Sequence, residues 1–483
     1  MSLLVEEAGS AIDPLVRPGS EDSTTAEALA DAGVRPNHRV ALYADNSLAF
    51  VRVLLGLMHL GAGIALVDRG RSAHSAERAA VQAGANWLVR DGGSPDETPG
   101  ALPVLDLTAL VGDRAAEAEA PHGSMATRLR LDAWERRADA LVTWSSGSTG
   151  EPKMIVRSGA SVMANTHRSA QRMGYRPSDV LAPLLPFSHQ YGFSLVLLAH
   201  MARCGLLLAP YRRLDCALRM LAVHGATAVD ATPSTYRSLL RLLGPRPALA
   251  DQGHRIRLWC VGGAPLDDRL AHDFHAAMGG PLLDGYGTSE LGNIALAAPG
   301  APDLCLPLDG VEVTVRDEQG RSLPAGRPGE VWVQTPDVMS GYLAPDGGAP
   351  TPVQPGAYRT HDLGVLDDRG SLRVLGRLSA LTRHGYTLYP AHLARKAEQC
   401  GRPVHVAPVE DERGGLRLVY LVEDPHQRPA AEWHTRFATV LERYELPNLV
   451  VVMDSFPVNS KGKTDLPSLE ERARRDFHQG RRT

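Results

Sequence analysis

The chain has 483 residues and a formal net charge of −4, from 51 basic and 55 acidic side chains. That length allows a large core and two or more domains, and the near balance of charge sets up no bulk field for nucleic acid or an anionic membrane. Five cysteines (Cys204, Cys216, Cys260, Cys305, Cys400) are odd in number and widely spaced. They offer no disulfide framework and no paired metal motif, and fit a reducing, cytoplasmic compartment. The stretch MSLLVEEAGSAID lacks a basic flank and an apolar segment, so no signal peptide is expected, and no apolar run reaches the ~18 residues of a bilayer span. No internal repeat is found. Only four of the basic residues are lysines: Lys153, Lys396, Lys461 and Lys463. In a chain that otherwise uses arginine, a lysine marks a place that wants a compact, flexible ammonium.

Residues 1–35 carry little pattern and read as an arm with one short helix. Arg39–Tyr43 reads as a strand. Asn46-Ser47 caps a helix whose apolar positions Phe50, Val51, Leu54, Leu55 and Met58 keep a helical period until Gly61. Ile64–Val67 is a further strand and Ser75–Gly84 a helix, and this alternation argues for a mostly parallel sheet. Residues 91–135 read as surface loops. Ala140–Val142 is a buried strand end and Met154–Val156 the next strand. Between them, Val142–Lys153 (VTWSSGSTGEPK) holds five hydroxyl side chains and two glycines. Such a loop offers backbone N–H groups and hydroxyls to an anion, and Lys153 adds a point charge. Its spacing fails the Walker pattern, and alone it is also compatible with a solvated Ser/Gly hairpin.

Pro183–Gly192 (PLLPFSHQYG) reads either as a core turn or as a pocket wall. Thr227–Asp230 is a strand, Ser234–Leu243 a helix, and Ile256–Val261 a strand ending at Gly262-Gly263-Ala264-Pro265. A glycine pair at the C-terminal end of a parallel strand is where α/β sheets bind ligands, and is also an ordinary strand-to-helix turn. Asp284–Glu290 reads DGYGTSE. From Gly310 the pattern alternates with period two, through VEVTVRD and Gly329–Val333, which predicts antiparallel hairpins and a small β subdomain. Tyr358–Asp362 (YRTHD) and Gly376-Arg377 follow. Residues 380–483 read as a small α+β unit with strands near Val404–Pro408, Leu416–Val422 and Leu449–Val452, a helix over Ala430–Arg443, and the closing motif Pro457–Asp465 (PVNSKGKTD).

SSGSTGEPK, DGYGTSE, YRTHD, GR and PVNSKGK, in that order over roughly residues 36–470, resemble the signatures of the adenylate-forming superfamily: acyl-CoA synthetases, aryl-acid ligases, peptide-synthetase adenylation domains and luciferases. The resemblance implies an α/β fold, with a large N-terminal domain of α/β sheets plus a β subdomain over residues 1–378 and a small mobile α+β lid over 379–483. It implies ATP and Mg²⁺. Ser145, Ser146, Gly147, Ser148, Thr149, Gly150 and Lys153 would cradle phosphates. Gly262, Gly263, Ala264 and Pro265 would form the adenine turn, with Tyr286 stacking on the base and Asp284, Gly285, Gly287 and Thr288 beside it. Ser289 would offer a hydroxyl to the α-phosphate, and Glu290 with Thr149 would hold Mg²⁺. Asp362 would take the ribose hydroxyls, Arg377 would close the nucleotide site, and Lys463 would be catalytic.

Ser188, His189, Gln190 and Gly192 would line the acyl pocket, His189 as its gate. Gln190 supplies no anion for an α-ammonium, and Ser188, Gln190 and Gly263 together give no charge complement, so an aromatic or short apolar acid is expected. Met154 stands where the signature usually has Gly, Ser289 where Thr is usual, His361 where Gly is usual, and Ser379 at the hinge. The segment Gly385–Pro390 is one residue short, with Thr387 for Arg and His392 for Glu. These departures touch the second half-reaction. The resemblance therefore implies acid activation to an acyl-adenylate with pyrophosphate release, then transfer to a thiol. A carrier-protein phosphopantetheine comes first and CoA second, with a nitrogen acceptor, nitrite activation or a degenerate nucleotide-binding homologue as further alternatives.

Overall fold

The structure is a computed structural model. It describes residues 15–17, 23–92, 101–111, 129–144, 153–243, 255–344, 350–353, 356–378, 381–383, 386–411, 416–441, 445–459 and 463–479. The signature loop Ser145–Pro152, Ser379, Gly385 and Lys461 lie outside these residues.

Two large mixed sheets build most of the chain. In one, Leu141–Trp144, Gly63–Leu66, Arg39–Tyr43, Trp87–Arg90 and Val104–Asp106 run parallel, and Met154–Arg157 and Gly341–Leu343 add antiparallel strands at one side. In the other, Gly205–Leu207, Val180–Pro183, Ala228–Ala231, Leu258–Gly262 and Leu282–Thr288 are parallel, continued antiparallel by Gly292–Ala298 and Ala301–Pro307. The helix Leu48–Leu60 starts where the Ser47 hydroxyl accepts the Phe50 amide at 3.1 Å, and ends at Gly61. It is apolar nearly all round, as a helix buried on every side must be. With Gly159–Met173 and Gln190–Ala202 it joins both sheets into one core, in which Leu42 and Ile64 from one sheet and Leu181 and Ala228 from the other are fully buried.

The alternating segment forms an antiparallel sheet, Glu312–Arg316, Gly329–Gln334, Tyr358–Leu366 and Leu372–Arg377, as its period-two pattern predicts. Beyond it, Leu381–Arg383 pairs with Tyr386–Leu388, and Val404–Glu410, Leu416–Glu423 and Leu449–Met453 form a separate sheet. Two small cores cover its faces, one around Tyr420, Trp433 and Phe437, the other around Leu469, Ala473 and Phe477. The C-terminal part touches the large sheets through an Arg241–Glu423 ion pair and through Arg395, whose Nη1 donates to the Leu266 carbonyl at 2.6 Å.

Two sequence expectations change. Residues 91–135 are not loops throughout: Val104–Asp106 extends a sheet, Leu107–Val111 and Asp132–Glu135 are helical, and Trp134 is fully buried. These pieces are too short to show a period. The helix expected over Ala430–Arg443 stops at Phe437. Leu466–Gln479 is a helix whose buried Leu469, Ala473 and Phe477 keep a four-residue spacing.

Gly159 opens its helix directly against the segment carrying Trp134, and a Cβ there would overlap the Trp134 carbonyl, whereas Gly300 faces open space with an ordinary φ. Gly159→Ala should cost about 1–3 kcal/mol in urea unfolding, as overpacking does, and Gly300→Ala should be neutral or mildly stabilising. Equal effects would contradict the packing described.

Candidate functional site

A cavity opens at the C-terminal ends of Ala228–Ala231 and Leu258–Gly262, under the first turns of the helix Gln190–Ala202. Its lining includes His189, Gln190, Gly192, Gly262, Gly263, Asp284, Gly285, Gly287, Thr288, Ser289 and Lys463. Lys463 comes from a hairpin near the far end of the chain. Val458 bridges Thr464, the Asn459 amide donates to the Lys463 carbonyl at 2.7 Å, and the Lys463 amide donates to Asn459 Oδ1 at 3.1 Å. The Lys463 ε-carbon and ammonium lie 3.4 Å from where a Cβ of Gly263 would stand, and Gly263 has φ +80°. The left-handed backbone is what calls for a glycine here, and a Cβ would do no more than touch the lysine.

Glu290 sits on the tight turn between Leu282–Thr288 and Gly292–Ala298. Its carbonyl accepts from the Met339 amide at 2.7 Å, and its Oε1 accepts from the Tyr342 hydroxyl at 3.3 Å. Tyr342 also meets the Tyr358 hydroxyl at 2.9 Å and carries the Lys153 ammonium over its ring at 5.2 Å. One contact chain therefore links Lys153, Tyr342 and Glu290. Behind the turn lies a buried polar brace. Asn165 Nδ2 donates to the Asn293 carbonyl and to Asp337 Oδ2, both at 2.9 Å, and Asn165 Oδ1 accepts from the Asn293 amide. Arg168 pairs with Asp337. Arg157, fully buried, donates to the Asp337 carbonyl at 3.1 Å; burial lowers its guanidinium pKa to about 10, against the pull of Asp337 and Glu290. Among the described residues no group of three or more His, Cys, Asp or Glu side chains is placed to hold a metal. A single carboxylate, Glu290, fits Mg²⁺, which takes one or two protein carboxylates and leaves its other positions to water and phosphate oxygens.

Asp362 lies at the edge of this region, its Oδ2 accepting from the Tyr286 hydroxyl at 2.6 Å and its Oδ1 3.3 Å from Arg377 Nη1. Burial raises the Asp362 pKa and Arg377 opposes that. His361, flagged in the sequence as replacing a glycine, has φ +58° and places its Nδ1 3.2 Å from Glu330 Oε1. It keeps the left-handed backbone that a glycine would adopt there. Ala264, Pro265, Tyr286, Asp362 and Arg377 do not line the cavity itself.

The acyl-pocket expectation needs two corrections. Ser188 is buried and does not line the cavity, while His189, Gln190 and Gly192 do. His189 Nε2 lies 3.5 Å from Asp68 Oδ2. Nor is the pocket without charge: Asp230 lines it and is only 2% exposed. Its Oδ1 accepts from the Tyr191 hydroxyl at 3.0 Å, and its Oδ2 has no hydrogen-bond partner. Burial raises its pKa to about 7, opposed by Tyr191 and then by the Cys260 thiol, a weak donor. In the sequence Asp230 shows only as the end of a strand. Tyr175, Asn165 and Asp337 reach the site through tertiary packing with no local motif, whereas Tyr191 and Cys260 lie within PLLPFSHQYG and the strand before the glycine turn, where nothing local marks their contact with Asp230.

A family model described as AMP-binding enzyme matches residues 21–343. The fatty acid–[acyl-carrier-protein] ligase ScoC of Streptomyces coeruleorubidus is 27% identical over 94% of this chain and 90% of its own length. The long-chain-fatty-acid–CoA ligase of Yersinia pestis is 23% identical over 67% of this chain, which spans only 60% of that protein. Among solved structures, ATP-bound MatB from Rhodopseudomonas palustris superposes with a TM-score of 0.78 at 24% identity, covering 93% of this chain and 91% of that one. At that identity the likeness carries the fold.

Two outcomes test the geometry. A left-handed non-glycine residue costs ~1–2 kcal/mol and a glycine gives back ~0.5–1 in chain entropy. His361→Gly should therefore leave urea stability unchanged or raise it by up to ~1.5 kcal/mol, and His361→Val should lower it by ~1 kcal/mol or more; equal losses would contradict the backbone assignment. For Asp230, the folded pKa of about 7 stands above the ordinary 3.8, so the folded protein holds this proton longer than the unfolded chain. Stability is then lost as pH rises through that interval. The melting temperature of Asp230→Asn minus that of wild type should grow between about pH 4 and pH 7 and level off above it. Its near neighbours Tyr191, Tyr175, Tyr236 and Cys260 titrate well above that window. A flat difference would contradict the buried carboxyl.

Proposed function

The chain belongs to the AMP-binding enzyme family, and from that premise we propose that it activates a carboxylic acid with ATP and hands the acyl group to the phosphopantetheine thiol of a carrier protein. A substrate carboxylate oxygen attacks the α-phosphorus, the bond to the bridging oxygen breaks, and pyrophosphate leaves with the electron pair. The difficulty is electrostatic. At ~4 Å and an effective dielectric near 20, two unit anions repel by roughly 4 kcal/mol. The observation that carries this reading is Lys463 at Gly263, a flexible ammonium in the cavity beside the glycine turn.

Lys463 bridges the substrate carboxylate and the α-phosphate, countering that repulsion and following the charge as it moves to phosphorus. Ser289 donates a hydroxyl to the α-phosphate. Glu290 and Thr149 would hold Mg²⁺, which when bound would supply countercharge to the phosphates. Ser145–Gly150 and Lys153 hold the β- and γ-phosphates, Asp362 accepts from the ribose hydroxyls, and Arg377 flanks Asp362. Residues 379–483 act as a lid that carries Lys463 in for adenylation and out for transfer.

The carrier-protein acceptor is supported by the altered Gly385–His392 segment and by the named acceptor of the ScoC relative. CoA is the second reading, favoured by the named product of the Yersinia pestis relative. A reducing, cytoplasmic setting suits five free thiols, and no helix among the described residues is long and apolar enough to cross a membrane.

Lys463→Ala should lower pyrophosphate release by about 10²–10³-fold or more, with the melting temperature unchanged; a large fall in melting temperature would assign Lys463 a structural role instead. Given the cognate acid, a holo carrier protein should be acylated with kcat/KM well above that for CoA, read by intact-protein mass spectrometry and by thioester formation. Faster turnover with CoA would reverse the choice of acceptor.

A further inference from the structure

Asp230 is a buried acid that the adenylation chemistry does not use. It stands at the C-terminal end of Ala228–Ala231 and lines the same cavity as Lys463. One carboxylate oxygen accepts from Tyr191 at 3.0 Å, the Cys260 thiol is a further, weak donor to the carboxylate, and Oδ2 has no stronger partner. The side chains that bear on it are Tyr191, Cys260, Tyr175 and Tyr236, all neutral at physiological pH. It caps no described helix and forms no described ion pair. A carboxyl kept so far from water without a cation is costly, and such groups in native proteins are paired or coordinated. A pairing cation supplied by the ligand accounts for the vacant oxygen.

The register says how far that cation lies from the reacting end. Asp230 is paired across the sheet with Cys260, and Gly263, where Lys463 arrives, is three positions further along. Three strand steps are about 10 Å. An α-ammonium is one carbon from its carboxylate and does not span that offset, even allowing for the reach of the aspartate. A β-amine, a more remote amine or a ring amine does.

We propose that Asp230 selects the acid: the substrate class is a carboxylic acid bearing an ammonium group beyond the α carbon, paired with the free Asp230 oxygen while its carboxylate meets Lys463. This rests on the adenylation reading and replaces the apolar acid expected from the sequence. Tyr191 acts as a positioning residue, holding the Asp230 carboxylate through its other oxygen.

The test uses the full chain and matched acids: one skeleton with a β- or more remote amine, its hydroxy and unsubstituted counterparts, and the α-amino isomer. ATP–pyrophosphate exchange is measured for wild type, Asp230→Asn and Asp230→Ala. Polar pockets reject an analogue lacking the matching group by 10²-fold or more. Wild type should thus favour the remote amine by at least ~10²-fold in kcat/KM, and both variants should lose that preference while keeping or gaining activity on the unsubstituted acid. Preference for the unsubstituted, hydroxy or α-amino acid in wild type overturns the proposal, as does an equal loss on every acid in the variants. Calorimetric binding of the same acids separates this from the adenylation reading. Amine-dependent binding that Asp230→Asn abolishes supports the proposal even where exchange fails, and equal binding of amine and unsubstituted acid overturns it even where exchange succeeds.

Discussion

Joining a carboxylate to a nucleotide phosphate requires two anions to meet, and the arrangement around Gly263 answers that requirement. The ammonium of Lys463 stands beside the turn, 3.4 Å from the point where a Gly263 Cβ would lie. The hairpin that presents it is held by hydrogen bonds between Asn459 and Lys463 and by the Val458–Thr464 bridge. The lysine thus belongs to the small C-terminal sheet and its neighbours, while the glycine turn belongs to the large sheets. A site completed from two parts of the chain can be opened by parting them, the motion that the proposed two-step reaction calls for.

A second constraint runs through the pocket interior. Asp230, Asp337 and Arg157 are all buried polar groups, and the structure treats them differently. Asp337 takes Asn165 and Arg168 on one oxygen, its other oxygen having no partner, and the resulting network braces the turn that carries Glu290. Asp230 is half satisfied. Asp337 has the Arg168 cation to offset its desolvation, whereas Asp230 faces no described cation and its desolvation is offset only when a ligand completes it. The destabilised group lies in the cavity and the stabilising network lies behind it, the usual division between a binding site and its support.

Local order was largely legible in the sequence. The Ser47 cap, the helical period to Gly61 and the alternating strands from Glu312 are short-range signals, and the elements stand where those signals place them. The order of short motifs was enough to recognise the superfamily. His361 was legible as a departure, and its positive φ supplies the physical reason that a glycine is usual there. The pocket interior was not legible. Asp230 ends an unremarkable apolar strand, and only the register with Cys260 and the packing of Tyr191 bring it to the cavity. Trp134 and the short helix around it, likewise, have no period to betray them.

The central claim is that the acid attacks the α-phosphate of ATP. The most direct measurement is isotopic: incubate the protein with ATP, Mg²⁺ and a turned-over acid labelled with ¹⁸O in its carboxylate, let the acyl group pass to the thiol, and weigh the nucleotide product. One ¹⁸O in AMP, with unlabelled pyrophosphate, is the predicted result. Label in inorganic phosphate with ADP as the nucleotide product, or unlabelled AMP, would contradict the account.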